Sequence, residues 1–194
     1  MRAALPPSFF ARDAASVARD LLGRLLVSTV GGRRCVVRIV ETEAYLGPGD
    51  PASHAAGGRR TPRTEVMYGT PGLAYVYFTY GMHWCFNVVT ERVGVPGAVL
   101  VRAGEPLAGL AAMRARRGTV DDRLLAAGPA RLAQALGIGR AQNGHPLDRP
   151  PLWLEPGVPV PARRRTRAVR VGIRVATDWP LRFFERDNPH VSRR

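Results

Sequence analysis

A chain of 194 residues is the size of one domain with one substantial core. All 29 of its basic residues are arginine, against 15 acidic ones, for a formal net charge of +14; a lysine Schiff base, a P-loop lysine and a pyridoxal-phosphate anchor are thereby excluded. The 45% hydrophobic content supports a packed core and excludes a disordered basic tail.

In chain order, Met1–Pro7 does not lead into an apolar signal core. A helix is predicted over 8–22, with Ser8 as its N-cap, Ala14, Val17, Ala18, Leu21 and Leu22 on one face, and Gly23 ending it. Arg24–Val30 and Arg33–Tyr45 read as two strands joined at Gly31-Gly32. If the pleat of the second continues, Cys35, Val37, Ile39, Glu41 and Glu43 share one face. Residues 47–72 hold ten glycines and prolines in 26 positions and read as one long irregular loop, a length that in a compact domain is usually functional. Leu73–Thr79 and His83–Thr90 are expected to form a hairpin around Tyr80-Gly81, with Leu73, Tyr75 and Tyr77 on one face. A short strand Ala98–Ala103 follows, then a helix from Glu105-Pro106 to Arg117 and another from Gly128-Pro129 to Gly137. Arg167–Val175 alternates as a half-buried strand with a basic outer face, and Leu181–Phe184 is the last strand. The expectation is a single α+β domain over 1–194 with a mainly antiparallel sheet.

The charge predicts a polyanion partner, nucleic acid first, although arginine in place of every lysine is also what a GC-rich genome produces. The field is uneven: residues 151–194 hold ten arginines against four acids, whereas 1–50 hold seven against five. Cys35 and Cys85, fifty positions apart, form neither a disulfide framework nor a metal knuckle and point to a reducing compartment. No apolar run reaches the length of a membrane span. The expected setting is cytoplasmic, nucleoid-associated in a bacterium, with no membrane partner. No pair among His54, His83, His145 and His190 has zinc-motif spacing, so neither a metal nor a cofactor is expected.

Two features carry chemistry. Glu41-Thr42-Glu43-Ala44-Tyr45 puts carboxylates at the end of a buried strand before an irregular loop, the position of a general base whose pKa burial raises; the competing reading is an ion pair with one of the many arginines. Tyr75–Asn87 packs six aromatics other than histidine into thirteen residues. Most fit a hairpin core, but Tyr80 falls at the turn, where an aromatic ring is exposed unless it inserts into something such as a base stack.

Val40–Pro48, Ala52-Ser53-His54, Thr61-Pro62-Arg63, Tyr75–Asn87 and Leu100–Ala103, with Arg170-Val171-Gly172 and Pro180–Phe183 near the end, resemble in order and spacing the alkyladenine (3-methyladenine) DNA glycosylase family. The resemblance runs through nearly the whole chain. It implies a curved antiparallel sheet flanked by helices, with a protruding β-hairpin that enters the DNA minor groove, and cleavage of the glycosidic bond of a flipped damaged purine in double-stranded DNA. Glu43 matches the carboxylate that activates water; Arg102 and the main-chain carbonyl of Val171 match its partners. Tyr45, His54 and Tyr77 match the base pocket, Ala52 a backbone contact to the base, and Asn87 the residue that obstructs the amino group of normal guanine. Tyr80 matches the intercalating wedge, and Met82, Arg59, Thr61 and Arg63 the DNA-facing surface. The chain departs from the family pattern at His83, where that pattern has a tyrosine, and by two extra residues between Asn87 and Arg102.

With no lysine for a Schiff base, a monofunctional, water-using enzyme that leaves an abasic site is expected, with a monomer as the default state. Two other readings compete: a non-catalytic nucleic-acid-binding module, and a hydrolase of free nucleosides.

Overall fold

The computed structural model describes residues 3–193. The first helical stretch is broken in two: α1 (Pro7–Phe10) and α2 (Ala14–Asp20) replace the single helix expected over 8–22. The break has a local cause, because the Asp13 side chain accepts from the Ser16 amide and caps α2, so Asp13 and not Ser8 is the capping residue. β1 (Leu25–Ser28) and β2 (Cys35–Tyr45) pair antiparallel, but the connection is longer than the two-residue turn expected at Gly31-Gly32 and contains a 3₁₀ turn over Val30–Gly32.

After the long loop, which folds as 3₁₀ turns at Gly47–Gly49, Ala56–Gly58 and Glu65–Tyr68, come β3 (Ala74–Thr79), β4 (His83–Thr90) and β5 (Gly97–Ala108). β5 runs five residues past the expected end, since Glu105 and Pro106 pair with Arg38 and Val37. The helix expected from Glu105 therefore starts later, as α3 (Leu110–Arg117), after Gly109 with φ +80°; a Cβ there would lie 2.5 Å from the Arg34 carbonyl oxygen. α4 (Pro129–Leu136) lies as expected between Gly128 and a left-handed Gly137. β6 (Asp148–Arg149) and β7 (Leu152–Glu155) had no place in the sequence reading. β8 (Arg165–Ala168) and β9 (Arg182–Glu185) complete the set. The strand expected over Arg167–Val175 stops at Ala168: Val169 and Val175 are about half exposed and Arg170 is buried, against the predicted faces, whereas Val171 and Ile173 are half-buried and Gly172 and Arg174 exposed, as predicted.

The sheet is α+β in setting and antiparallel at every named pairing, in the order β3-β4-β5-β2-β1-β7-β6. β5 covers one edge of β2 along its length, while the other edge is shared, β1 taking 35–38 and β9 taking 41–43, which curls the sheet. One face packs against α2, α3 and α4 in the main core, with Cys35, Val37, Ile39, Ala74, Val76, Phe86, Val88, Val99 and Val101.

The register slips between Ile39 and Glu41 and again between Glu41 and Thr42. The pleat therefore does not continue as first read. Thr42 and Ala44 take the main-core face, where the Thr42 hydroxyl donates to the Ala18 carbonyl of α2, and Glu41 and Glu43 turn to the opposite face. That face carries the candidate site.

Candidate active site

On the site face the strands present Tyr75 and Tyr77 from β3, Cys85 and Asn87 from β4, Leu100 and Arg102 from β5, and Tyr45 from β2. These side chains, the 51–54 segment and residues 171–175 enclose a cavity of about 470 Å³, within the range of small-molecule sites.

Glu43 lies behind this wall, fully buried. Its Oε1 accepts from the Val171 amide at 2.7 Å and faces Arg102 Nη1 at 3.3 Å, and its Oε2 accepts from the Tyr45 hydroxyl at 3.0 Å. Tyr45, Arg102 and Val171 all line the cavity, so the carboxylate sits one side chain away from it. Val171 meets Glu43 through its amide; the resemblance had assigned a role to its carbonyl. Burial pushes the Glu43 carboxyl above the ordinary range, and Arg102, the Val171 amide and the Tyr45 hydroxyl oppose that shift without cancelling it. Burial and the Glu43 charge push the Tyr45 phenol up as well, so it remains a donor.

Glu41 fulfils the competing reading. Its Oε1 accepts from Arg102 Nε at 3.0 Å and Arg182 Nη1 at 2.9 Å, and its Oε2 from the Ser192 amide at 2.7 Å. Of two carboxylates with the same burial, one is consumed by arginines and the other faces the cavity wall.

The aromatic side of the cavity is built by period-2 alternation on β3. His54 meets the Tyr77 ring edge-on at 4.6 Å between centroids, and its Nδ1 lies 2.8 Å from the Tyr75 hydroxyl. Arg63 Nη2 lies 3.4 Å from His54 Nε2. Because arginine can only donate, Nε2 accepts and Nδ1 carries the proton. Burial, with the nearby Arg63 charge, lowers the His54 pKa to about 4 and leaves the ring neutral. Asn87 is held by donation from its Nδ2 to the Tyr75 carbonyl at 3.0 Å. Both cysteines are free and buried, and burial pushes the Cys85 thiol up.

The structure thus brings Glu43, Arg102, Val171, Tyr45, Ala52, His54, Tyr77 and Asn87 together, with Tyr80 at the cavity mouth. Arg63 reaches the rim, its guanidinium carbon 4.8 Å from the Tyr77 ring centroid. Arg59, Thr61 and Met82 are not part of the wall. Thr61 closes a turn, its carbonyl accepting from the Thr64 and Glu65 amides, and Met82 is 68% exposed at the β3–β4 connection. Sequence reasoning passed over Tyr75, whose place on the Tyr77 face was legible from alternation, and Asp50, whose Gly-Pro-Gly-Asp context is a turn signal.

Residues 8–189 match the family model described as Methylpurine-DNA glycosylase (MPG). The chain belongs to this family. It is a DNA glycosylase, an enzyme whose substrate is DNA. Among curated relatives, the glycosylase is 54% identical over 192 residues to a protein of Myxococcus xanthus, covering 97% of this chain and 93% of that one. It is 47% identical to one of Carboxydothermus hydrogenoformans, covering 98% and 99%, and 45% identical to one of Natranaerobius thermophilus, covering 95% and 96%. Each of these carries the name "Putative 3-methyladenine DNA glycosylase". Among the described residues of the glycosylase, no helix is long and apolar enough to cross a membrane.

Proposed function

We propose that the protein removes alkylated or deaminated purines, of the 3-methyladenine, 7-methylguanine, hypoxanthine and ethenoadenine class, from double-stranded DNA, and that the single domain 1–194 does so as a monomer with a water as the attacking group. The observation that carries the reading is the buried Glu43 carboxylate with Arg102, Tyr45 and the Val171 amide converging on it behind an aromatic cavity.

A base inside the duplex is out of reach, so it must be extruded at a cost of about a few kcal/mol. Tyr80, 81% exposed at the connection between β3 and β4, fills the gap in the stack. The extruded purine enters between Tyr45, Tyr77 and the neutral His54; a cationic alkylpurine gains from the electron-rich ring faces. Asn87, fixed on the Tyr75 carbonyl, stands where the amino group of guanine would collide. As the glycosidic bond breaks, its electron pair leaves with the base and the sugar becomes oxocarbenium-like. A water admitted between Tyr45, Arg102 and Val171 to reach the carboxylate adds to that carbon and gives its proton to Glu43, whose charge also stabilises the cation.

Replacement Glu43→Gln keeps the shape and removes the base. Duplex carrying one defined lesion is expected to bind as in the parent, while base release, read by alkali cleavage and strand sizing, falls by about 10²–10⁴-fold, the usual worth of a general base. Unchanged release would remove Glu43 from the mechanism. Parent-like behaviour in every assay would favour the non-catalytic binding module.

A further inference from the structure

Asp50 and Arg170 have no part in the mechanism above, yet both side chains are completely buried. A buried ion pair is a poor source of stability, because desolvation cancels most of its attraction unless every polar atom is engaged in good geometry. Here Arg170 Nε is buried without a hydrogen-bond partner, and the engagement that Nη1 and Nη2 do make is directed at the site. Arg170 forks onto Asp50, with Nη1 at 2.5 Å and Nη2 at 2.8 Å, and Nη1 also donates to the Ala44 carbonyl at 3.0 Å. Its guanidinium carbon lies 4.7 Å from the centroid of the Tyr45 ring. Asp50 accepts in addition from the Leu46 amide at 3.1 Å and the Ala52 amide at 3.0 Å. The pair thus closes the turn that carries Ala52 toward His54 and presses on the ring whose hydroxyl meets Glu43.

The second half of the argument lies next along the chain. β8 ends at Ala168, and from Val169 to Val175 the hydrogen bonds among the described residues are those of Arg170 and the Val171 amide. Residues 171–175 nonetheless form one wall of the cavity. No ladder holds that wall; Arg170 anchors it, one residue before the amide that donates to Glu43.

We propose that Asp50 and Arg170 are positioning residues for the glycosylase reaction, clamping the 46–52 turn to the 169–175 segment so that Tyr45 and the Val171 amide together orient the Glu43 carboxylate. The proposal rests on Glu43 acting as the base. It explains why a fully buried charge pair stands beside the site: a fork with a planar stack fixes direction, which an apolar pair of the same volume would not.

The test is Asp50→Asn, isosteric and still able to accept from the Ala52 amide, with Arg170→Lys as the second variant, which keeps the charge but loses the fork. Single-turnover base release and lesion-duplex binding are measured on the same preparations across pH, with the active fraction fixed by titration. A misplaced carboxylate should lower release about 10- to 100-fold, with duplex binding within about threefold of the parent. The acidic limb should move to higher pH, because the two hydrogen bonds that favour ionised Glu43 weaken. The other groups facing Glu43, namely Arg102 from β5, Glu41 from β2 and Arg182 behind Glu41 from β9, are unchanged in both variants. Simple removal of the Asp50 charge would act the other way, since one anion fewer favours an ionised Glu43 and moves the limb to lower pH. A limb that stays or moves down, or a loss of release matched by the loss of active fraction, overturns the proposal. If Asp50→Asn does not fold, Arg170→Lys decides by the same criteria. Should Glu43→Gln abolish release while both variants behave as the parent, the clamp alone fails; should Glu43→Gln leave release intact, the reading beneath it fails too.

Discussion

Glu41 and Glu43 stand two residues apart on one face of β2, equally buried, and their neighbours give them different work. Glu41 accepts from two guanidinium groups and an amide. Glu43 has one guanidinium at 3.3 Å and two neutral donors, so burial dominates and its carboxyl is raised above the ordinary glutamate range. The sign for catalysis follows. If Glu43 is the base it must be ionised, so base release should fall as pH drops through the raised value, placing the acidic limb above the ordinary glutamate range. The measurement is single-turnover release of a cationic lesion, whose departure needs no protonation. His54, with a pKa of about 4, adds no step in that window. A limb at or below the ordinary glutamate range would contradict the burial of the base.

At the scale of elements, the decisive feature is the irregularity in β2. Strict alternation would put Glu41 and Glu43 on the face of Cys35, Val37 and Ile39, against α2; the extra residue at the slip sends them to the opposite face, the one that carries the site. Deleting Val40 removes that residue and exchanges the faces of one half of the strand, forcing either the carboxylates or the apolar run out of place. The expected outcome is loss of the cooperative thermal transition, since one uncompensated buried charge already costs about 3–5 kcal/mol. A deletion variant that melts like the parent would show the slip to be incidental. No period-2 reading could have found it, because a bulge lives in the pairing with β5 and not in the composition of β2. The same limit accounts for Arg167–Val175: apolar alternation was present, but no neighbouring strand was available beyond Ala168, and Arg170 was drawn inward by Asp50, 120 positions away. What was legible was local: alternation on β3, Gly128-Pro129 and Gly137 around α4, and Tyr80 at a turn. Tyr80 has φ +51° ahead of Gly81 at +68°, and the Met82 amide donates to the Thr79 carbonyl across the turn. Such a turn favours Asn or Gly at the position Tyr80 occupies, so the ring is retained against local preference. Tyr80→Ala should leave the melting temperature unchanged to within the effect of about 0.5 kcal/mol, as for an exposed side chain. It should also lower release from paired lesions more than from lesions in single strands; equal effects on both would remove the wedge role.

For the whole molecule, the +14 charge separates into an internal and an external part. Arg102, Arg170 and Arg182 are buried against Glu41, Glu43 and Asp50, three cations on three anions, so this cluster is neutral as a set and the entire excess lies elsewhere. The external arginines lie in solvent, where salt screens any contact they make with phosphate. If they make about six to ten phosphate contacts, duplex affinity should fall by about 10³–10⁵ between 50 and 200 mM salt. The internal cluster is shielded from counterions, so the single-turnover rate at saturating enzyme should change little over the same range. Anisotropy titrations of lesion-bearing and undamaged duplexes against salt, paired with saturated single-turnover rates, measure the two parts separately. A flat affinity slope together with turnover of free nucleosides would favour a nucleoside hydrolase. A rate that falls with salt as steeply as affinity would mean that the charges serving Glu43 are not the buried ones.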